Sequence, residues 1–377
     1  MWRRILAVMT LAVLAAFTSP ACGATTVTHP FIGITHYERF ETSPRELAIH
    51  VIEIDLNAPG ISFVTTPSNG AKPGDTTRQR TSDFVQQTGA QIAINGTFYA
   101  SAGSGVGPGD GTEYYADLTY FAYSAGVGVS TWSGTGDPDE RGINVDQNNN
   151  ATFIRPFAIN QANYQTRPTG ASLYNGIGTY DGILINGVIT ATDTNLHPRT
   201  AMGLTDDKSK LFLMTVDGRQ PGWSMGMTTI EMAQMLQNDY GCSDAINLDG
   251  GGSTTMAFAD PTVRVVNRPS DGSERLHGNN FGVLALPTPP PDNGDYNNDG
   301  TIDAADYVVW RKGLGTAFTQ TDFDVWRANF GQTAGSGSGA SADTPVPEPA
   351  SALLLMLGAA FGICSRRRVA SPVPSAR

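Results

Sequence analysis

The sequence predicts an α/β chain: a mixed α+β domain on a central, mostly antiparallel or mixed sheet, followed by a small all-α module. Three observations predict it. "ELAIHVIEIDL", "ISFVTT" and "QIAIN" alternate or cluster β-branched residues as strands do. "RTAMGLTDDKSKLFLMTVDGR" reads as a hairpin, two such runs around the polar turn Asp206–Lys210. "TTIEMAQMLQNDYG" carries a helix signature, with Thr228 as N-cap, Glu231 as its capping-box partner and Gly241 as the stop. Ile230, Ala233 and Leu236 then form its core face. "DAINLD" follows as a strand that runs into Gly250, Gly251 and Gly252. The segment 132–152, rich in Gly, Asp and Asn, reads as exposed loop.

Both ends of the chain read as addresses. Residues 1–24, "MWRRILAVMTLAVLAAFTSPACGA", place two arginines before a short apolar run and small residues, the layout of a secretory signal peptide. Residues 346–368, "VPEPASALLLMLGAAFGICSRRR", carry a Pro-Glu-Pro motif, an apolar stretch too short for a stable span, and three arginines. That order resembles the bacterial PEP-CTERM sorting signal; a simple tail anchor is the alternative. Either implies an exported protein at the cell surface or outside the cell, handled by export and sorting machinery. Of three cysteines, Cys22 and Cys364 lie inside these signals, so Cys242 stands alone and no disulfide framework is available. Stability falls to the core of residues 25–286. A formal charge of −11 argues against a nucleic-acid partner, since phosphate backbones reward clustered Lys and Arg.

A proline-rich linker, 287–294, ends the large domain, and a Gly/Ser-rich linker, 333–345, precedes the tail. Between them, 295–332 hold an internal repeat. Asp306, Trp310, Arg311 and Gly315 correspond to Asp322, Trp326, Arg327 and Gly331. "DYNNDGTIDAAD" has the spacing of a twelve-residue calcium loop. Asp295, Asn297, Asp299 and Asp303 supply side-chain oxygens, Thr301 its carbonyl, and Asp306 closes the loop, with Gly300 at the sharp turn. An acidic solvated loop is the plain alternative. With its duplicated Trp-Arg helices the module resembles a dockerin, which implies a cohesin-like or cell-surface partner. The second repeat lacks the loop, so one Ca²⁺ is expected.

The large domain carries the chemistry. Gly250–Gly252 lack the spacing of a dinucleotide fingerprint and no Gly-Lys-Ser/Thr follows, so neither nucleotide reading holds. What remains is a strand-end carboxylate, Asp249, before a backbone that can approach a ligand closely, with the Ser253 and Thr254 hydroxyls beside it. Asp217 in "VDGRQ", Asn95 in "INGTF" and Arg199 in "HPRTAMGLT" also fall at predicted strand ends, where sites on such sheets gather. Arg199 and Arg219 offer planar donors to a phosphate.

"INGTF", "HPRTAMGLT", "VDGRQPGWSMGMTTIEMAQML", "AINLDGGGSTTM" and "VNRPSDGSERLHGNNFGV" occur in the order found in the phosphodiester glycosidase family. The resemblance covers roughly 45–286. It implies hydrolysis of the bond between a sugar's anomeric carbon and a phosphodiester oxygen, on a sugar-phosphate polymer or glycoconjugate. "NGTF" departs from the family pattern, and the loops 99–116 and 132–152 look particular to this branch. Such a reaction favours carboxylates near an oxocarbenium-like centre and cationic donors on the departing phosphate. Asp249 and Asp217 fit the first role. Arg199, Arg219 and Arg275 fit the second, with Gly250–Gly252, Ser253 and Thr254 receiving phosphate and Asn95 a sugar hydroxyl. Plainer readings stand beside these: Asp217 as the start of an Asp-Gly turn, Asp249 as a turn residue, Arg275 as a surface charge. Glu231 reads better as a helix cap than as an acid, and His197 better as an orienter of Arg199 than as a base. No cofactor is assigned to this domain. A non-catalytic exopolysaccharide-binding surface protein and a metal-dependent phosphodiesterase are the alternative functions.

Overall fold

Four strands of the large unit are buried along nearly their whole length, so they are covered on both faces. They are Leu47–Asp55, Lys210–Val216, Arg199–Thr205 and Cys242–Asn247, and they lie side by side in that order in an eight-stranded sheet. Ala24–Thr28 and Ile34–Glu41 extend it at one edge, Asp181–Ile185 and Val188–Ile189 at the other. All its pairings are antiparallel, so of the two sheet types expected it is the antiparallel one. The computed structural model describes residues 23–102, 114–130, 140–154, 172–288 and 292–333. The signal-peptide and sorting-tail readings, apart from residues 23–24, lie outside them, as do the linker after 333 and part of the proline-rich linker. The chain forms two units that divide between Pro289 and Pro290.

One face of the large sheet presents Ile52, Ile54, Met202, Leu204, Leu211, Leu213 and Ile246 to two smaller antiparallel sheets. The first supplies Ile92, Ile94, Phe258 and Phe281; the second supplies Ile143, Val145 and Ile177. The other face packs Val51, Phe212, Met214 and Ala245 against Met232, Ala233 and Leu236 of the helix Thr229–Asn238. Ile230 sits at the margin of that contact. The helix begins as its sequence predicts: the Thr228 hydroxyl accepts from the Glu231 amide at 3.0 Å, and the Glu231 carboxylate accepts from the Thr228 amide at 3.0 Å. Glu231 is also ion-paired with Arg45 at 2.6 Å. The hairpin is present too, Arg199 facing Val216. Cys242 is free and buried.

The exposed-loop reading of 132–152 fails over its second half. Arg141–Val145 is a fully buried interior strand of its sheet, paired with Ala151–Ile154 on one side and Asn175–Thr179 on the other. Likewise 99–116 is not wholly loop, since Tyr99–Ala102 pairs with Tyr115–Leu118.

In the second unit the repeat becomes a matched pair of helices, Ala304–Gly313 and Gln320–Asn329. Asp306 and Asp322 occupy the same capping-box position in each. The Trp310 indole donates to the carbonyl of Thr319, N-cap of the second helix, at 2.8 Å, and Trp326 donates to that of Asp303, N-cap of the first, also at 2.8 Å. Before the first helix the loop turns at Asn298 and Gly300, both left-handed at φ 57° and 86°. Asp295 accepts from the amides of Asp299 and Gly300, and the fully buried Asp306 from those of Asn297 and Asp303.

Candidate active site at the end of a central strand

Where the strand Cys242–Asn247 ends, its chain is clamped from two sides. The Leu248 amide donates to the Thr200 carbonyl at 2.8 Å and the Asp249 amide to the Gly96 carbonyl at 3.1 Å. Asn95 completes the clamp. Its amide nitrogen donates to the Asp249 carbonyl at 2.7 Å, and its oxygen accepts from the Thr200 hydroxyl at 2.8 Å and the Thr255 amide at 3.0 Å. At 1 % exposure Asn95 therefore positions Asp249 and is not free for a sugar hydroxyl, which corrects the role expected of it.

The glycines serve close packing. A β-carbon at Gly250 would lie 2.7 Å from the Pro198 carbonyl oxygen, which already accepts from the Gly251 amide at 2.9 Å. Gly251 is left-handed at φ 63° and opens a single 3₁₀ turn, Gly251–Ser253. A β-carbon at Gly252 would collide with the Asp271 carboxylate and lie 2.5 Å from the Arg275 guanidinium, so glycine here leaves room for that ion pair beside the turn. The expected phosphate cup is largely closed. The Gly250 amide and Ser253 hydroxyl both bond the Asp249 carboxyl. Ser253 and Thr254 are each 1 % exposed. What the turn presents is Asp249 itself, half-buried, its carboxyl pushed up by burial against the pull of Ser253, Arg275 and the Gly250 amide.

The arginines divide into two kinds. Arg199 is 7 % exposed and committed, donating to Met227 O at 3.0 Å, Asp193 at 2.6 Å and Asn195 O at 2.9 Å. It anchors the segment that carries Pro198, so the phosphate-clamp role expected of it is withdrawn. Arg219 is exposed, held at φ 59°, with its guanidinium above Gly251. It donates to His197 Nδ1 at 3.2 Å, so His197 orients Arg219 and not Arg199. Burial and the two arginines depress the His197 pKa, keeping the ring neutral as that bond requires. Arg275, half-exposed, is aligned by Asp271 at 2.5 Å. Two guanidiniums thus flank the turn after Asp249.

Asp217 is the second correction. At 1 % exposure its carboxylate accepts from Trp223 Nε1 at 2.8 Å, Asn267 Nδ2 at 3.0 Å and the Arg268 amide at 2.9 Å. It holds the 267–268 segment against the strand end and faces no open space, so it is a positioning group here. Burial raises its pKa while these donors oppose the rise.

Three aromatic residues that the sequence reading missed border the same strand end: Phe98, Tyr120 and Tyr180. Their ring centroids are 5.4 Å apart for Phe98–Tyr180, 5.8 Å for Tyr120–Tyr180 and 6.4 Å for Phe98–Tyr120. They come from three distant points of the chain, so no local spacing could have grouped them. Among the described residues, no group of three or more His, Cys, Asp or Glu is gathered to hold a metal.

A family model described as phosphodiester glycosidase matches residues 88–284, and a PEP-CTERM protein-sorting motif matches 345–368. Comparison with curated protein sequences gives no match. Among solved structures, the chain is similar to the catalytic domain of zebrafish N-acetylglucosamine-1-phosphodiester α-N-acetylglucosaminidase auto-inhibited by its pro-peptide. Identity is 18 %, coverage 71 % of this chain and 89 % of that one, TM-score 0.49. A Synechocystis protein matches at 16 % identity, 71 % and 69 % coverage and TM-score 0.43. A Burkholderia pseudomallei protein matches at 15 % identity, 67 % and 76 % coverage and TM-score 0.47.

Proposed function

The chain belongs to the phosphodiester glycosidase family, and from that premise we propose that it hydrolyses the glycosidic bond of a sugar-1-phosphodiester, an N-acetylglucosamine-1-phosphodiester-like substrate. One observation carries the reading: a half-buried carboxyl with a raised pKa, Asp249, followed by a turn on which Arg219 and Arg275 lie. The bond to be broken joins a carbon that turns cationic to a phosphate that departs as an anion. Asp249 meets the first need, activating water or attacking the anomeric carbon, and its burial makes it a stronger base than an exposed carboxylate. The guanidiniums meet the second by taking up charge on the departing phosphate monoester, a good leaving group that needs little acid assistance. Asn95, Asp217 and Arg199 hold these groups in place.

Asp249→Asn keeps the shape and removes the base, so release of sugar should fall about 10³-fold or more with the fold intact. Turnover in ¹⁸O-water should put the label in the sugar. Label in the phosphate, or normal turnover by Asp249→Asn, overturns the reading.

We propose also that the loop Asp295–Asp306, in a dockerin-like module, takes up one calcium ion by drawing together carboxylates that stand apart in the structure, where they accept from loop amides. Its donor types and its left-handed turn at Gly300 suit a hard cation that takes six or more oxygens. Calorimetry should give one Ca²⁺ per chain, lost in Asp299→Ala; binding unchanged in that variant refutes the site. The sorting motif supports an exported protein of the bacterial surface.

A further inference from the structure

We propose that Tyr180 and Phe98, backed by Tyr120, form the platform on which the pyranose ring of the substrate stacks beside Asp249. The inference rests on the glycosidase reading and assigns it a sugar-binding face. Phe98 lies two residues beyond Gly96, whose carbonyl receives the Asp249 amide at 3.1 Å. Tyr180 lies between Thr179, whose hydroxyl donates to the Asn247 carbonyl at 2.7 Å, and Asp181, which pairs with Asn247 in the sheet. The two residues therefore flank the last strand residues before Asp249, and their rings meet 5.4 Å apart.

The cluster has no role in the core: Tyr180 is 41 % exposed, Phe98 and Tyr120 are half-buried, and none belongs to a buried apolar cluster. A partly exposed aromatic face beside charged groups suits a ligand with one apolar face and a polar rim. A pyranose has that form, its axial C–H bonds meeting the electron-rich ring faces while its hydroxyls reach outward. Burial, with the charges of Asp181, Asp193 and Asp249, raises the Tyr180 pKa while Arg199 opposes the rise, so its hydroxyl is within electrostatic reach of Asp249.

The test uses the full chain with two probes. One is methyl N-acetylglucosamine-1-phosphodiester for turnover. The other is methyl N-acetylglucosaminide, which has no scissile phosphate, for saturation-transfer NMR. Tyr180→Ala and Phe98→Ala should each raise KM about tenfold, with kcat changed far less. Both should also abolish saturation transfer to the sugar ring protons. Tyr180→Trp, which keeps a stacking face, should retain both, separating stacking from a structural defect. Unchanged KM and unchanged transfer in Tyr180→Ala overturn the platform and leave the glycosidase reading standing. Sugar binding that depends on Tyr180 in a chain that cleaves no sugar phosphodiester supports the platform and removes that reading instead.

Discussion

Two aspartates at neighbouring strand ends look equivalent in sequence and differ in what they can do. Asp217 receives three donors inside the protein; Asp249 receives a hydroxyl and one amide and faces a half-open turn. Replacing the carboxylate by an amide therefore has opposite consequences. In Asp217→Asn an amino group confronts the Trp223, Asn267 and Arg268 donors, and stability should fall by about 1–3 kcal/mol. In Asp249→Asn the unfavourable burial of charge is relieved, and stability should be unchanged or higher while activity is lost. Urea denaturation of the two variants checks this. Equal destabilisation would mean that Asp249 is held as tightly as Asp217.

Whether an element was legible depended on how local its causes are. The helix Thr229–Asn238 is specified by its own first turn, and Thr228→Ala should cost about 1 kcal/mol, measured as a shift in the denaturation midpoint. The strand Arg141–Val145 has no such local cause. Its Asn144, a residue that speaks for loop, is fully buried because its side chain bonds the Ser172 carbonyl at 3.0 Å and the Tyr174 amide at 2.8 Å. Those partners are remote in sequence, so composition pointed the wrong way. The site divides similarly. Asp249 and its glycines stood out in one short run, but that the glycines make room for Pro198 and Arg275 is a tertiary fact. So is the commitment of Arg199 to Asp193. The repeat of the small unit was legible because both copies carry their own capping Asp, Trp and terminal Gly.

At the scale of the whole large unit, the packing of sheet on sheet makes stability depend on pH. His36 and His50 sit on the face of the eight-stranded sheet that meets Phe258 of a smaller sheet. Their rings are stacked with centroids 5.3 Å apart and share a hydrogen bond of 3.1 Å. Burial, with Arg264 nearby, lowers His36 to about 4; burial, His36 and Arg264 lower His50 to about 3. His277 is buried elsewhere in the unit, and burial with Arg275 lowers it to about 3. All three remain neutral in the folded chain at pH values where the unfolded chain has bound protons. Stability from this source is complete above the ordinary histidine value of 6.5 and is lost as pH falls from there toward 4. The limiting slope is about 1.4 kcal/mol per pH unit for each histidine. The raised carboxyls of Asp217 and Asp249 act in the opposite sense, since the folded chain takes up their protons first on acidification. They stand against these three histidines and His197, whose pKa is also lowered, and they begin from the carboxylate range, so they blunt the acid side of the fall without reversing it. Urea midpoints followed by far-UV circular dichroism should therefore drop between pH 7 and pH 5. His50→Gln, which cannot be protonated, should flatten the curve; an equally steep curve in that variant would place the cause outside the histidine pair.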